Sequence, residues 1–333
     1  MLTKATVVGT GAMGTVLAQI LAGNKIHVAL LGRRVEQVDP ILTLRENRRY
    51  LPGVRLNERI TPTIDPVTAL ANTELIVSAV PCQYLRTTWE RIGGYVRAGV
   101  PICSVTKGIE TSTLARPAQI IDAYVGENAV AVLSGPSIAP EIARCLPATV
   151  VVACENDEVA RLVQTVLSTS AFRVYTNPDV LGVELAGALK NVIALAAGIL
   201  DGLKAGDNAK AALLTRGLVE ITRLGVMLGA RAQTFVGLAG IGDLVTTCVS
   251  PLGRNRSAGE AIGRGKRCEQ VISESPAVVE GIPTTRAVME LALRNEVEMP
   301  ITAAVHAVLF ENKPPLEAIT ELMSRPSKAE EPW

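Results

Sequence analysis

Short apolar runs recur through the first half of the chain, separated by turn residues and helix-like segments. Each run is rich in Val, Ile and Ala and has the length of one buried strand. Buried strands that alternate with helices are typical of a mainly parallel sheet covered on both faces. The sequence therefore predicts an α/β domain whose strands lie in the segments 5–9, 26–32, 75–81, 101–108, 129–135, 148–154 and 172–176.

The pattern changes after the Asn177-Pro178 turn. Long helical stretches follow it without a strand-like run between them: 179–200, 209–228, 255–263, 284–295 and 302–311. We therefore predict that residues 1–178 form the α/β domain and that residues 179–323 form an all-helical domain. The last segment, 324–333, is polar and charged and contains two prolines, so we expect a frayed tail.

Composition narrows the range of functions. The 333 residues include 33 Lys plus Arg and 32 Asp plus Glu, so no net field attracts nucleic acid or an anionic membrane. The six cysteines lie far apart, and we expect them to be reduced. No signal-peptide pattern and no apolar stretch near twenty residues is visible, which predicts a cytoplasmic protein without membrane insertion. Only His27 and His306 could serve a histidine-based triad or metal site, so we expect no metal.

A glycine motif follows the first predicted strand. Gly9, Gly11 and Gly14 stand in GxGxxG register in GTGAMG, between the strand and an apolar helix. In a dinucleotide-binding turn these glycines allow the tight bend, the approach of the pyrophosphate and the close packing of helix on strand. The helix N-terminus offers free N–H groups to the phosphates. The alternative is a glycine-rich turn without a ligand.

Two arginines follow the second predicted strand. A fold that prefers NAD usually carries an acidic side chain there, which binds the ribose 2′-hydroxyl. Arg33 and Arg34 instead suit a 2′-phosphate, because guanidinium groups make charge-assisted and often bidentate hydrogen bonds. The sequence therefore favours NADP over NAD, unless both arginines are only solvated loop residues.

Lys190 is a single cation in the most apolar long helix that the sequence predicts. Leu185, Leu189 and Ile193 are among its neighbours, and no carboxylate lies within one helical turn. Burial disfavours the charged form of lysine, so the side chain either faces a polar cavity or titrates at a lowered pKa. The alternative is that its aliphatic stem lies along the helix and its ammonium reaches solvent.

Other polar groups occur where parallel strands end or where glycines crowd the backbone. Lys107 and the Ser134–Ser137 turn follow predicted strands, where doubly wound sheets bind ligands. Three glycines precede Asp243, and Arg254 and Asn255 open a predicted helix, a setting that favours phosphate. Each of these groups could also be an ordinary solvated surface group.

Together these segments closely resemble the bacterial NAD(P)-dependent glycerol-3-phosphate dehydrogenases. The resemblance rests on motifs in the family's order from residue 9 to residue 285: GTGAMG, SVTKGIE, LSGPSIAPEIA, ELAGALKNVIALAAGILDGL, NAKAALLTRGLVEITRLG, GLAGIGDLVTTC, GRN and VVEGIPTT. It implies a Rossmann-type doubly wound sheet followed by an all-helical C-terminal domain. It also implies a homodimer that interconverts glycerol 3-phosphate and dihydroxyacetone phosphate with NADP(H) or NAD(H) and supplies phospholipid synthesis.

The resemblance carries roles onto individual residues. Lys190 would be the proton acceptor in alcohol oxidation, with Lys107, Asp243 and Thr247 beside it. Around glycerol phosphate it implies Lys107, Gly135, Ser137, Lys190, Asp243, Gly253, Arg254 and Asn255, with Asn191 next to Lys190 as a further contact. Around the dinucleotide it implies Gly9, Gly11, Ala12, Met13, Gly14, Arg33, Arg34, Tyr50, Lys107, Ala139, Arg254, Val278 and Glu280.

One position departs from the family. Serine usually precedes the Arg-Asn pair, and this chain has Gly253. Because a hydroxyl contact is lost, we expect a modestly weaker substrate KM, which Gly253→Ser should improve.

Other functions stay open at this point. Hydroxyacid dehydrogenases and ketopantoate reductases also join such a sheet to helices and use a lysine, but their substrates end in a carboxylate. A non-catalytic dinucleotide sensor would not need Lys107, Lys190 and Asp243 together. The helical half could also serve as a dimerisation platform in addition to an enzymatic role.

Overall fold

The computed structural model describes residues 2–275, 277–327 and 329–330, and it divides into two compact units. Unit 1 contains the chain as far as Thr106 and residues 117–180, and unit 2 contains residues 107–116 and those from Leu181 onward. Residues 107–116, which the sequence places in the α/β domain, group with unit 2, where Lys107 and Arg116 form ion pairs. Of the predicted tail 324–333, Lys328 and residues 331–333 lie outside the described residues.

Unit 1 is built on a single eight-stranded sheet. Its order is β3-β2-β1-β4-β5-β6-β7-β8, and every neighbouring pair is parallel except β6 and β7. The order reverses between β1 and β4, which is where doubly wound sheets bind ligands at the carboxyl ends of the strands. The strands are β1 (Lys4–Val8), β2 (His27–Leu31), β3 (Ile60–Thr63), β4 (Leu75–Ser78), β5 (Ile102–Ser104), β6 (Val130–Ser134), β7 (Ala148–Ala153) and β8 (Phe172–Asn177).

The strands are apolar because helices cover the sheet. All four residues of β4 are buried, as are the last four of β1 and of β2. The sequence missed β3, which is short, carries Pro62 and exposes Thr61. The helices of unit 1 are α1 (Ala12–Gly23), α2 (Val35–Leu44), α3 (Pro66–Leu70), α4 (Leu85–Ile92), α5 (Pro117–Val125), α6 (Ala139–Ala143) and α7 (Asp157–Leu167).

In its described residues from Leu181 onward, unit 2 contains helices and no strand, as the sequence predicts. The helices are α8 (Val180–Gly202), α9 (Asp207–Met227), α10 (Ala232–Phe235), α11 (Asp243–Val249), α12 (Arg254–Gly263), α13 (Cys268–Glu274), α14 (Gly281–Arg294), α15 (Pro300–Phe310) and α16 (Pro315–Met323). The sequence pattern did not predict the short helices α10, α11, α13 and α16. A turn of π-helix, Leu238–Gly242, leads directly into α11.

The helix α8 is the core of unit 2. Every residue from Gly182 to Leu200 is buried, which is the expected position for a helix that is apolar on all sides. Contrary to the expectation from the sequence, α8 and the run Ala232–Val249 are long and apolar enough to cross a bilayer by length and composition. The apolar segment of α8 lies wholly inside the protein, so its composition is that of a buried core helix.

Candidate active site

The glycine loop after β1 has the shape that a pyrophosphate requires. Gly9 has a φ of +110°, and a Cβ there would lie 2.6 Å from the Ala79 carbonyl oxygen. A Cβ on Gly14 would lie 2.0 Å from the Gly9 carbonyl oxygen, so α1 could not pack as closely with any other residue. A Cβ on Gly11 would meet no atom within 4 Å, so the backbone there is open to a ligand. These residues, with Ala12 and Met13 in the first turn of α1, fit a dinucleotide.

Asn47 supports this loop, although the sequence analysis did not single it out. Its side chain is buried and donates hydrogen bonds to the Thr10 carbonyl oxygen and the Thr15 hydroxyl, both at 2.8 Å. The loop is therefore fixed by a side chain more than thirty residues away. No local signal in the sequence indicates this role.

A third arginine, Arg49, lies near Arg34, the second of the two arginines that follow β2. Arg33 and Arg34 are exposed, and Arg34 lines a cavity of about 560 Å³ together with Arg49. The Arg49 guanidinium lies 5.2 Å from the ring centroid of Tyr50, which is half-buried. The family resemblance implies a contact at Tyr50 but none at Arg49. An arginine pair of this kind can hold a phosphate by charge-assisted hydrogen bonds.

The turn after β6 places the remaining predicted residues of unit 1. Gly135 has a φ of +123°, and its carbonyl oxygen accepts a hydrogen bond of 2.8 Å from the Ser137 hydroxyl. Ala139 begins α6 and is buried. The turn is therefore tightly closed at the carboxyl end of a strand, where doubly wound folds bind their ligands.

In unit 2, Lys190 points at a carboxylate and does not reach solvent. Lys190 is only 4% exposed, and its ammonium donates a 2.6 Å hydrogen bond to Asp243, which is 2% exposed. The ammonium also donates a hydrogen bond to the Thr247 hydroxyl. Asp243 and Thr247 are one turn apart on α11, so one short helix supplies both partners.

Lys107 reaches the other oxygen of the same carboxylate. Its ammonium lies 2.6 Å from Asp243 Oδ2, while Lys190 lies at Oδ1. The side chain of Lys107 is 20% exposed and that of Lys190 is 5% exposed. Two ammonium groups therefore share one carboxylate, and the more exposed of them is Lys107.

These contacts set the protonation states of the cluster. Desolvation lowers the pKa of Lys190 to about 8, opposed by the charge of Asp243 and reinforced by the charge of Lys107. Burial acts to raise the pKa of Asp243, but the charges of Lys107 and Lys190 outweigh it and hold that pKa below its ordinary value. Burial raises the pKa of the nearby Cys248 thiol to about 12, so this thiol stays protonated. Lys190 is therefore the group that changes charge near neutral pH.

Next to Lys190, the side-chain amides of Asn191 on α8 and Asn255 on α12 form a hydrogen-bonded pair. Asn255 donates a 2.8 Å hydrogen bond to the Asn191 side-chain oxygen and accepts one of 2.9 Å from the Gly281 backbone N–H. Glycines bring α12 against α8 closely enough for this contact. A Cβ on Gly198 would lie 1.9 Å from the Arg256 carbonyl oxygen, and one on Gly259 would lie 2.1 Å from the Leu195 carbonyl oxygen.

The remaining predicted residues surround the start of α12. Arg254 donates a 2.9 Å hydrogen bond to the Val278 carbonyl oxygen, and Glu280 is the last residue before α14. Gly253 is the N-cap of α12, and a Cβ there would lie 2.8 Å from the Thr247 carbonyl oxygen. A serine at this position must therefore displace the backbone beside Lys190, which argues against a simple gain from Gly253→Ser.

Family models match the two parts of the chain in order. The N-terminal model of NAD-dependent glycerol-3-phosphate dehydrogenase matches residues 4–160, and the C-terminal model matches residues 179–320. The chain belongs to this family. The resemblance drawn from the motifs is thereby confirmed, as is a Rossmann-type sheet followed by helices.

Curated relatives share about half of their residues with this chain. The glycerol-3-phosphate dehydrogenase [NAD(P)+] of Thermobifida fusca is 47% identical over 99% of both chains. The protein of the same name from Bacillus pumilus is 48% identical over 97% of this chain and 94% of its own length. The family membership therefore extends over the whole chain.

Solved structures agree with the family. A glycerol-3-phosphate dehydrogenase from Coxiella burnetii has a TM-score of 0.94 at 36% identity, covering 97% of this chain and 99% of its own. A ketopantoate reductase from Ralstonia eutropha has a TM-score of 0.61 at 14% identity, covering 96% of this chain and 100% of its own. The second likeness shows a shared fold and no more.

Proposed function

We propose that the chain interconverts glycerol 3-phosphate and dihydroxyacetone phosphate with a nicotinamide dinucleotide. The observation that carries the proposal is the buried Lys190 ammonium on Asp243, in a chain whose relatives bear this enzyme name. The glycine loop of unit 1 would hold the pyrophosphate of NADP(H) or NAD(H), which supplies or accepts the hydride when bound.

Lys190 would move the proton in both directions. Reduction of a ketone places negative charge on the carbonyl oxygen, and an ammonium can both stabilise and protonate that oxygen. Oxidation of the alcohol requires the neutral amine, which accepts the hydroxyl proton. A pKa of about 8 leaves both forms of Lys190 accessible near neutral pH, whereas an ordinary lysine pKa of 10.5 would not.

Asp243 and Lys107 would control that proton. Asp243 orients the ammonium together with Thr247 and stabilises its charged form. Lys107 opposes this effect by like-charge repulsion, and it can bind an oxygen of an anionic substrate because its side chain is partly exposed. The three side chains would therefore be the catalytic group of the enzyme.

The phosphate group of the substrate would bind at the N-terminus of α12. Arg254 uses one N–H group on Val278, and a guanidinium carries five such donors in a planar array that matches phosphate. Asn255 stands next to it at the N-terminus of α12, where backbone N–H groups favour an anion. Gly135, Ser137 and the backbone N–H of Gly253 complete the proposed substrate contacts, and Ala139, Val278 and Glu280 complete those to the dinucleotide.

The cellular role follows from the reaction. The product glycerol 3-phosphate is the backbone from which phospholipids are made, and we propose that the enzyme supplies it. We propose a cytoplasmic homodimer, as the resemblance implies, and a preference for NADPH supported by the arginines after β2. A solution mass measurement would test the dimer, because a monomer should have a mass near 35.1 kDa.

A spectrophotometric assay tests the reaction. Oxidation of NADPH and NADH at equal concentrations is followed with dihydroxyacetone phosphate, and with ketopantoate and other α-keto acids as the rival substrates. We expect turnover with dihydroxyacetone phosphate and no comparable turnover with the α-keto acids. No oxidation with dihydroxyacetone phosphate would overturn the proposal, and it would leave a non-catalytic dinucleotide sensor as the favoured function.

The role of Lys190 is tested by substitution. Lys190→Ala should lower kcat by about two to four orders of magnitude, the usual contribution of a positioned acid or base. NADPH binding, measured by fluorescence titration, should be largely retained. Lys266→Ala is the control, because Lys266 pairs with Glu274 on the surface of the same unit. Near-normal turnover of the Lys190→Ala enzyme would remove Lys190 from the mechanism.

A further inference from the structure

The segment that carries Lys107 is held at both ends by ion pairs. Lys107 at one end contacts Asp243, and Arg116 at the other end contacts Glu184 on α8. The proposed function uses Lys107 and Asp243, but it gives no role to Arg116 and Glu184.

The residues between the two ends form a compact turn. The Glu110 N–H donates a 3.0 Å hydrogen bond to the Ala115 carbonyl oxygen, and the Leu114 N–H donates one of 2.9 Å to the Glu110 carbonyl oxygen. Ile109 is fully buried and Glu110 is 5% exposed. Because these hydrogen bonds close the turn between its two ends, we expect a displacement at Arg116 to be transmitted to Lys107.

The second ion pair is placed to fix this turn against the helix that carries Lys190. The side chain of Glu184 is 1% exposed and that of Arg116 is 21% exposed. Glu184 precedes Lys190 by six residues on α8, which is about 9 Å along the helix axis. Because Glu184 is a buried carboxylate, loss of the Arg116 charge would weaken its electrostatic compensation, so the pair resists separation.

We propose that Arg116 and Glu184 are positioning residues, whose ion pair fastens the 107–116 turn to α8 and thereby keeps the Lys107 ammonium on Asp243. Neither side chain needs to touch substrate for this role. The consequence for catalysis rests on the proposed function of Lys190, whereas the positioning itself does not.

Loss of the Arg116–Glu184 ion pair should change the electrostatic environment of Lys190. The charged and titratable groups that act on Lys190 are Asp243, Lys107 and Cys248. If Lys107 moves away, Lys190 loses a like charge and no longer shares the Asp243 carboxylate. Water that enters the space also relieves desolvation. All three changes favour the ammonium form, so the pKa of Lys190 should rise.

The test follows the Lys190 titration directly in the ligand-free protein. Lysines are labelled with ¹³C, and the Lys190 Cε resonance is identified by its absence in a Lys190→Arg sample. We expect Arg116→Ala to raise the midpoint by about one pH unit, a typical size for the loss of one nearby charge. The pH profile of kcat/KM for glycerol 3-phosphate oxidation should move by the same amount.

Further variants separate positioning from loss of folding. Arg116→Lys keeps the charge and should restore most of the wild-type midpoint. The double variant Arg116→Met with Glu184→Gln removes both charges of the ion pair and should still show the raised midpoint. Arg294→Ala is the matched control, because Arg294 pairs with Glu290 on an exposed face of α14. It should leave the midpoint unchanged.

The outcomes are distinct. An unchanged Lys190 midpoint in the double variant would overturn the positioning role, whatever the activity of that variant. A raised midpoint in the double variant, together with a wild-type protein that oxidises no glycerol 3-phosphate, would support the positioning role and overturn the proposed function instead.

Discussion

Replacement of Asp243 by Asn should move the pH dependence of both reaction directions toward acid. Asp243 holds two ammonium groups, each at 2.6 Å, and it is the main source of negative charge beside Lys190. Asn keeps the shape and one acceptor oxygen but removes the charge. Lys190 then remains desolvated beside Lys107 without the opposing charge, so its pKa should fall below the wild-type value of about 8.

The size of the fall follows from the distance. At 2.6 Å and an effective dielectric constant of about 20, one charge pair contributes about 6 kcal/mol. The hydrogen bond that Asn retains and the water that replaces the lost charge offset part of this, and about 3 kcal/mol is a reasonable remainder. Because one pKa unit corresponds to about 1.4 kcal/mol, the pKa of Lys190 should fall by about two units.

The assay measures kcat/KM in both directions across a range of pH, because this ratio reports the ionisation of the free enzyme. In the wild type, reduction should decline and oxidation should increase as the pH rises through about 8. In Asp243→Asn both midpoints should lie near 6. Asp157→Asn is a control with an exposed carboxylate. A folded Asp243→Asn enzyme with both midpoints still near pH 8 would refute the electrostatic reasoning.

Three further predictions concern Lys107, Arg34 and Glu220. Lys107→Met removes a like charge, so the midpoint of the oxidation profile should rise by about one unit, and an unchanged or lower midpoint would contradict this role. Arg34→Ala should weaken NADPH binding about tenfold and NADH binding much less in fluorescence titrations, and equal losses would remove the 2′-phosphate assignment. Glu220→Ala should lower the free energy of unfolding by about 2–4 kcal/mol in urea titrations, because the buried carboxylate accepts hydrogen bonds from the Ile301 and Thr302 N–H groups at the start of α15. Glu317→Ala, at an exposed position of α16, should have little effect.

The arrangement of elements could be predicted from the sequence to a large extent. Apolar runs define seven of the eight strands, because most of these strands are buried on both faces of the sheet and are therefore apolar at nearly every position. The glycine motif defines the tight turn after β1, because only glycine fits where a Cβ would meet the Ala79 carbonyl. The apolar pattern around Lys190 correctly predicted the long helix α8, although it left the burial of Lys190 open. These signals are local, and so they can be read from neighbouring residues.

The short elements were not predicted, because they contain too few residues to show a clear sequence pattern. The strand β3 contains a proline and has only four residues, and α10 has four residues as well. Their stability comes from the surfaces on which they pack and not from their own sequence pattern. The sequence therefore indicates the long elements better than the short ones.

The sequence alone indicated a long apolar helix around Lys190 and the residue types of a phosphate and dinucleotide enzyme, but it left open whether the ammonium is buried or reaches solvent. Only the tertiary structure decided that one carboxylate, Asp243, is shared by Lys190 and Lys107, which lie 53 and 136 residues away along the chain. Only the structure showed that Arg116, at the end of the segment that carries Lys107, forms an ion pair with Glu184 on α8. A helix can be predicted from its local composition, whereas the burial of one side chain and the direction of its pKa shift depend on which groups the fold brings within a few ångströms.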